Sequence, residues 1–253
     1  MDGRRSCAFR HCASGTAVAK IEQPAGRQRP IAAIRHSHPW DVSIAEAQAI
    51  QLRLAAQVSR ESGIPDQARY VAGADLSPPD GEGLVQCGIV VLEYPALAVV
   101  EVKTARGLPG FPYVPGLLSF RESPLVLAAL ERLEHTPDLL LCDGQGLAHP
   151  RRFGLACHLG VLTGLATIGC AKSRLTGRHE AVALERGGWS PLVDRGEVVG
   201  AALRTREGVQ PLYVSIGHRV DLPSAVRWTL ACCRRYRVPE PTRLAHFAAA
   251  GKL

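Results

Sequence analysis

The sequence predicts a single mixed α/β domain in which helices cover one sheet. Three observations carry that prediction. Apolar runs of strand length alternate with segments of helical period. At 253 residues the chain is long enough for one sizeable core. Hydrophobic residues make up 46%, enough to fill that core and to exclude wholesale disorder.

The elements follow in order. Residues 1–38 mix Gly, Pro, Ser and Arg without a period and are expected to form a disordered basic extension. Ser43-Ile44-Ala45-Glu46 has capping-box spacing: the Ser oxygen can accept from the Glu46 backbone while the Glu46 carboxylate reaches back. The helix it starts is expected to run to about Ser62, where Gly63 and Pro65 end it. Tyr70 to Leu76 reads as a short apolar strand with one charge, Asp75. Leu84 to Leu92 and Ala96 to Thr104 are Val-rich strands joined by a turn at Glu93-Tyr94-Pro95. A Pro/Gly-rich loop spans Gly107 to Gly116. Ser123 reads as the N-cap, and Pro124 as the first residue, of a helix reaching Leu133. Asp138 to Cys142 is an apolar strand closed by Asp143-Gly144.

A helix from about Arg152 to Leu162 and a strand from Ala166 to Cys170 come next. Strands at Val198 to Arg204 and Leu212 to Ile216, then a helix from Ser224 to Arg235, complete the pattern. The domain is thus expected over 39–237, with 238–253 a C-terminal tail that gives no functional signal.

The net charge of +7 hints at an acidic partner such as nucleic acid. Its placement weakens the hint, because residues 1–38 carry +5 and the remainder only +2. None of the eight cysteines forms a CxxC pair, and several lie in apolar runs. They read as small buried hydrophobes in a reducing cytoplasm, not as zinc ligands. No apolar run approaches membrane-spanning length, and no membrane partner is expected.

Two charges interrupt apolar strands. Asp75 breaks Tyr-Val-Ala-Gly-Ala, and Asp143 ends Leu-Leu-Leu-Cys. Burying an unpaired carboxylate costs several kcal/mol. Either residue alone can be a plain turn former. If the two strands are neighbours, however, their carboxylates converge with Glu122 at one sheet edge. Three crowded carboxylates repel and need a cation, and hard oxygen ligands suit Mg²⁺, with Mn²⁺ as a substitute. A metal so placed can activate water and stabilise the leaving oxygen of a phosphodiester. That is the logic of the ribonuclease H-like nucleases.

Five strings make the sequence specific: Val71-Ala72-Gly73-Ala74-Asp75, Pro112 through Glu122 (PYVPGLLSFRE), Asp143 through Arg151 (DGQGLAHPR), Gly169-Cys170-Ala171-Lys172-Ser173, and Gly217-His218-Arg219. In these the chain resembles the endonuclease V family of deoxyinosine-directed nucleases, from about Trp40 to Arg235. The resemblance implies a ribonuclease H-like mixed sheet flanked by helices. It also implies an Mg²⁺-dependent DNA repair endonuclease that recognises deoxyinosine. Such an enzyme cuts the second phosphodiester bond on the 3′ side, leaving 3′-hydroxyl and 5′-phosphate ends.

By the same resemblance Asp75 and Asp143 are the metal-binding aspartates, and Glu122 acts through metal-bound water. His218 falls on the family's catalytic histidine. Imidazole is a poor Mg²⁺ ligand, so proton transfer or water orientation is its expected role, the alternative being a cap ahead of the last helix. Lys172, one of four lysines against 26 arginines, lies near the scissile phosphate. Tyr113, held between prolines, is the strand-separating wedge. Gly116, Leu118, Gly144 and Ala171 line a hypoxanthine pocket built largely of backbone. His149 and Arg151 contact the substrate backbone or support the site, Arg151 as a bidentate phosphate grip. Arg152 is expected in the first turn of the following helix.

Deoxyinosine-containing DNA is the expected partner, single-stranded DNA or RNA further candidates, and the protein is expected to act as a monomer. The extension over 1–38 departs from the compact family pattern. It is either a misassigned start or a basic tail that adds salt-sensitive DNA affinity. Three rival functions stand beside the main one: an inosine-directed endoribonuclease, the nuclease half of an excision repair protein, and a non-catalytic lesion-binding module. The intact set Asp75, Glu122, Asp143 and Lys172 argues against the last.

Overall fold

In the computed structural model, which describes residues 34–253, the first strands are β1 (Tyr70–Leu76), β2 (Val85–Glu93) and β3 (Ala98–Gly107). Next come β4 (Leu139–Cys142), β5 (Ala166–Ala171), β6 (Trp189–Asp194), β7 (Glu197–Leu203) and β8 (Leu212–His218). All eight join one sheet in the order β3-β2-β1-β4-β5-β8-β7-β6. The β1, β4 and β5 strands are parallel neighbours, and the other pairings are antiparallel. This is the single mixed sheet that the alternating pattern predicts.

Its centre explains the apolar runs. Every residue of β4 is buried, as a strand covered on both faces requires. One core packs Leu139, Leu141, Phe153 and Ile216 on one face. A second packs Ala72, Leu140, Val126 and Leu159 on the other.

Helix α1 (Ile44–Ala55) starts at Ser43 with the predicted capping box: Ser43 N–H donates to Glu46 Oε2 at 2.8 Å and Glu46 N–H to Ser43 Oγ at 3.3 Å. It ends seven residues before Ser62. Residues 59–63 are held by tertiary bonds instead: Arg219 N–H donates to Ser59 O at 2.8 Å and Gly63 N–H to Arg219 O at 2.9 Å.

Helix α2 (Leu118–Leu130) begins six residues earlier than Pro124. Ser123 is therefore a buried interior residue, not an N-cap, and Pro124 sits inside the helix. Pro124 forfeits one ladder bond. Burial of Phe120 before it and of Val126, Leu127 and Leu130 after it outweighs that loss. Glu122 thus projects from the second turn of a helix, where sequence reading put it just ahead of one.

Helix α3 (Leu155–Thr163) starts after Arg152, which has φ +55 and lies outside it. Arg152 is fixed there by Asp194 at 2.8 Å and Glu197 at 2.6 Å. Helix α4 (Leu222–Ala231) is capped by Asp221, not by His218: Ser224 N–H donates to Asp221 Oδ1 at 2.7 Å.

Both ends of the expected domain move outward. Residues up to 33 of the predicted extension lie outside the described residues. Arg35 N–H, inside the expected arm, donates to Leu162 O at 2.9 Å, and the His38 ring packs on Trp40. At the other end, the expected tail contains helix α5 (Glu240–Ala249). This helix lies directly against β1 and β2. A Cβ on Gly73 would overlap the Pro241 carbonyl, and one on Gly88 the Ala245 carbonyl. Strand β6 escaped prediction because it is an edge strand with Pro191 in it and alternate residues exposed.

Candidate active site

Three parallel strands end side by side and set out the site. Ala74 of β1 pairs with Cys142 of β4, so Asp75 and Asp143 follow one another's register across adjacent strands. Cys142 pairs with Gly169 of β5, which runs on to Ala171 and Lys172. The Lys172 ammonium is ion-paired to the Asp143 carboxylate. Burial opposes its charge, but the Asp143 hydrogen bond and charge prevail and raise the Lys172 pKa. From α2, Glu122 faces the same two aspartates closely enough for all three to repel.

That repulsion is visible in the acids. Burial first, then Asp143, raises the Asp75 pKa; hydrogen bonding to His246 and the charge of Lys172 offset part of this. Burial, with Asp75 and Asp143, pushes Glu122 to about 8, so without a counter-charge it holds its proton at neutral pH. Three oxygen-donor groups that cannot all ionise alone suit a hard divalent cation. Among the described residues no three such side chains already form a closed donor cage. Lys172 and His246 each occupy a carboxylate oxygen that a cation would share.

The histidine at this site is His246, not His218. Its Nδ1 lies 2.9 Å from Asp75 Oδ2. His218 pairs with Thr167 at the start of β5, whereas the site lies past Ala171 at its end. Four residues of strand separate those points, roughly 13 Å at the usual rise. His218 Nδ1 accepts from Ser59 N–H at 3.1 Å. Burial, then Arg219 and Arg35, lowers its pKa to about 4. Antiparallel β8 carries it to the wrong sheet edge, so it is a neutral structural group.

A cavity of 370 Å³ adjoins the carboxylates. Gly116, Leu118, Gly144 and Ala171 all line it, as do Asp143 and Lys172. Tyr113 also borders it, as well as a neighbouring 330 Å³ cleft that includes Glu122. Tyr113 is 72% exposed, yet its loop is anchored on both sides. Phe111 is buried before it, with its carbonyl accepting from Arg121 at 3.0 Å. After it, Gly116 has φ +79, a conformation that suits glycine.

The Gly116 carbonyl accepts three hydrogen bonds: from Arg151 Nη2 at 2.7 Å, His149 Nε2 at 2.9 Å and Gln51 Nε2 at 3.1 Å. Arg151 Nε also donates to Gln51 Oε1 at 2.5 Å. Arg151 and His149 therefore brace the tyrosine loop. That brace uses one hydrogen on Nε and one on Nη2 of Arg151, so both hydrogens on Nη1 and the second on Nη2 are left for the expected phosphate grip. Sequence reading missed Gln51, although a buried amide on the apolar face between Ala47 and Leu54 was a signal. It also missed Ser119 and Gln145 in the cavity wall.

His149 gives a test of this brace. Its Nδ1 accepts from Arg151 N–H at 3.2 Å, so Nε2 carries the hydrogen given to Gly116. Burial, with Arg151 and Arg152 adding to it, lowers its pKa to about 4. Between pH 6.5 and 4 the unfolded chain then binds more protons than the folded one. Stability falls as pH drops through that window, by up to about 1.4 kcal/mol per unit from this residue. In urea unfolding across pH 4 to 7, His149→Gln should lose that share of the slope; an unchanged slope would contradict the buried neutral ring.

Comparisons with known proteins agree with this geometry. The family model described as Endonuclease V matches residues 52–247. An Endonuclease V of Roseiflexus sp. (strain RS-1) is 54% identical over 84% of this chain and 94% of its own. The crystal structure of the Streptomyces avermitilis Endonuclease V is 48% identical, with a TM-score of 0.81 over 87% of this chain and 97% of that one. A Ciona intestinalis Endonuclease V is 28% identical, with a TM-score of 0.70 over 83% of this chain and 96% of that one. It was solved in complex with a 23mer DNA containing an inosine followed by a ribo-adenosine.

Proposed function

The chain belongs to the endonuclease V family of metal-dependent nucleases, and from that premise we propose that it is an Mg²⁺-dependent DNA repair enzyme acting at deoxyinosine. It cuts the second phosphodiester bond 3′ to the lesion, leaving 3′-hydroxyl and 5′-phosphate ends. The observation that carries this reading is the junction of three mutually repelling carboxylates with a base-sized cavity beside an exposed, anchored tyrosine.

Asp75 and Asp143 would hold the cation, with Glu122 acting through water. The cation supplies a polarised water and charge compensation at the phosphate. The chain's own groups do the rest. Tyr113 enters the stack as the lesion leaves it, and the Gly116 brace keeps its loop from yielding. The extruded base enters the cavity lined by Gly116, Leu118, Gly144 and Ala171. Lys172, ion-paired to Asp143, would present its compact point charge to the phosphate. His246 gives its Nδ1 hydrogen to Asp75, so in the neutral ring Nε2 is free to take a proton from water.

No described helix is long and apolar enough to cross a membrane. The six described cysteines are all buried and free, which supports a cytoplasmic setting. We take the working form to be a monomer.

A nicking assay on duplexes with and without one deoxyinosine tests the reading. Strand-specific cutting with Mg²⁺, abolished by chelation, is expected; equal cutting of the plain duplex would defeat it. A second reading, cutting of inosine-containing RNA, is favoured by the ribo-adenosine in the Ciona complex. Paired DNA and RNA substrates separate the two, because 2′-hydroxyl contacts are what distinguish them.

A further inference from the structure

Behind the cavity lies a chain of hydrogen bonds whose direction can be worked out. Ser119 of α2 is buried and lines the cavity. Its Oγ is 3.0 Å from Nδ1 of His158, on α3. His158 Nε2 is 2.7 Å from His38 Nε2, and His38 Nδ1 is 2.7 Å from the Pro39 carbonyl. Trp40, Phe120 and Phe153 pack around the His158 ring and hold it in place.

A carbonyl can only accept, so His38 Nδ1 carries a hydrogen. The neutral ring of His38 then offers a lone pair at Nε2. The hydrogen between the two rings must belong to His158. His158 is thereby left with a bare Nδ1, and the Ser119 hydroxyl gives its hydrogen there. Burial lowers the pKa of both rings, with the Arg53 charge adding to the effect at His38 and the His38 charge at His158. Neutral imidazoles are thus the resident forms. The hydroxyl of Ser119 has spent its hydrogen and can meet a bound base only as an acceptor.

We propose that Ser119 is a specificity-determining acceptor for the ring N1–H of a lactam purine, with its polarity set by His158 and, one step further out, by His38. Hypoxanthine carries a hydrogen on N1 and is matched. Adenine has a lone pair there, which would face another lone pair and leave both unpaired. His38 and His158 are positioning residues in this scheme. His38 lies in the segment that composition alone assigned to a disordered arm, and ahead of residues 52–247 matched to the family. The inference rests on the proposed deoxyinosine function and adds to it the residue that reads one edge of the base.

The test compares binding of two duplexes by the full chain under chelation, one with deoxyinosine and one with purine deoxyriboside, whose N1 has no hydrogen. Ser119→Ala should weaken deoxyinosine binding about fivefold to tenfold, the worth of one neutral hydrogen bond, and leave purine deoxyriboside binding unchanged. His38→Ala should act in the same sense with smaller size. Ring ¹⁵N NMR of histidine-labelled protein gives a readout free of DNA. His158 should be protonated at Nε2 and bare at Nδ1, and His38 the reverse. If wild type prefers deoxyinosine but Ser119→Ala keeps the full preference, or if His158 is protonated at Nδ1, the relay is wrong and the function stands. If wild type shows no preference for deoxyinosine over either purine deoxyriboside or plain duplex, the functional reading fails and takes the relay with it.

Discussion

Asp75→Ala is expected to slow nicking at deoxyinosine by at least about 10³-fold under single-turnover conditions, because charge compensation by the cation is worth several kcal/mol in the transition state. The residue lies one position before the end of β1, is level with Asp143 across the strand pair and bonds His246. Its loss removes one of the proposed cation ligands and the hydrogen-bond partner of His246. Binding of deoxyinosine DNA should persist, since the cavity and Tyr113 are untouched. The melting temperature should not fall, because removing one of three repelling carboxylates relieves the burden that raises Glu122 to about 8. Undiminished cutting would exclude Asp75 from the metal site. A cutting defect with an equal loss of binding would make its role structural.

Gly73→Val should have the largest effect on stability. A side chain there meets the backbone of Pro241 and Thr242, which cannot give way as a flexible side chain would. Helix α5 must lift off β1 or the strand must bend. Overpacking of this kind costs about 3 kcal/mol or more, about 6 to 12 °C in Tm for a chain of this size. Because α5 carries His246, activity should fall further than the unfolded fraction explains at 25 °C. A variant that melts like wild type would show that the α5 contact is loose. Loss of stability with intact activity per folded molecule would detach His246 from the chemistry.

Much of this molecule is legible in the chain, for identifiable reasons. Ser43 and Glu46 announce α1 because capping is local. The buried strand Leu139 to Cys142 is an unbroken apolar run. Asp75 and Asp143 stood out because a carboxylate in such a run needs a reason. The errors share a different cause. The Gly-His-Arg setting points to His218, but antiparallel pairing with β5 places it at the far edge, and strand direction is not written locally. His246 gives no signal in the sequence because α5 gains its order from the glycine-floored sheet beneath it. Pro124 pointed to a helix start, yet burial of Phe120 carried the helix past it. His38 looked like part of a polar arm until its ring met His158 across 120 residues of sequence.

The separations within the site have a kinetic consequence. Asp75 and His246 are 171 residues apart in the chain, and Asp75 meets Asp143 only after a meander and a helix have intervened. Contacts this distant pay their loop-closure entropy before they return any stabilisation, and they form late. A partly folded chain can therefore hold the hairpin of β2 and β3, and even α3 on β5, without bringing two carboxylates together. An assembled carboxylate site is then one of the last features the polypeptide acquires and among the first it loses.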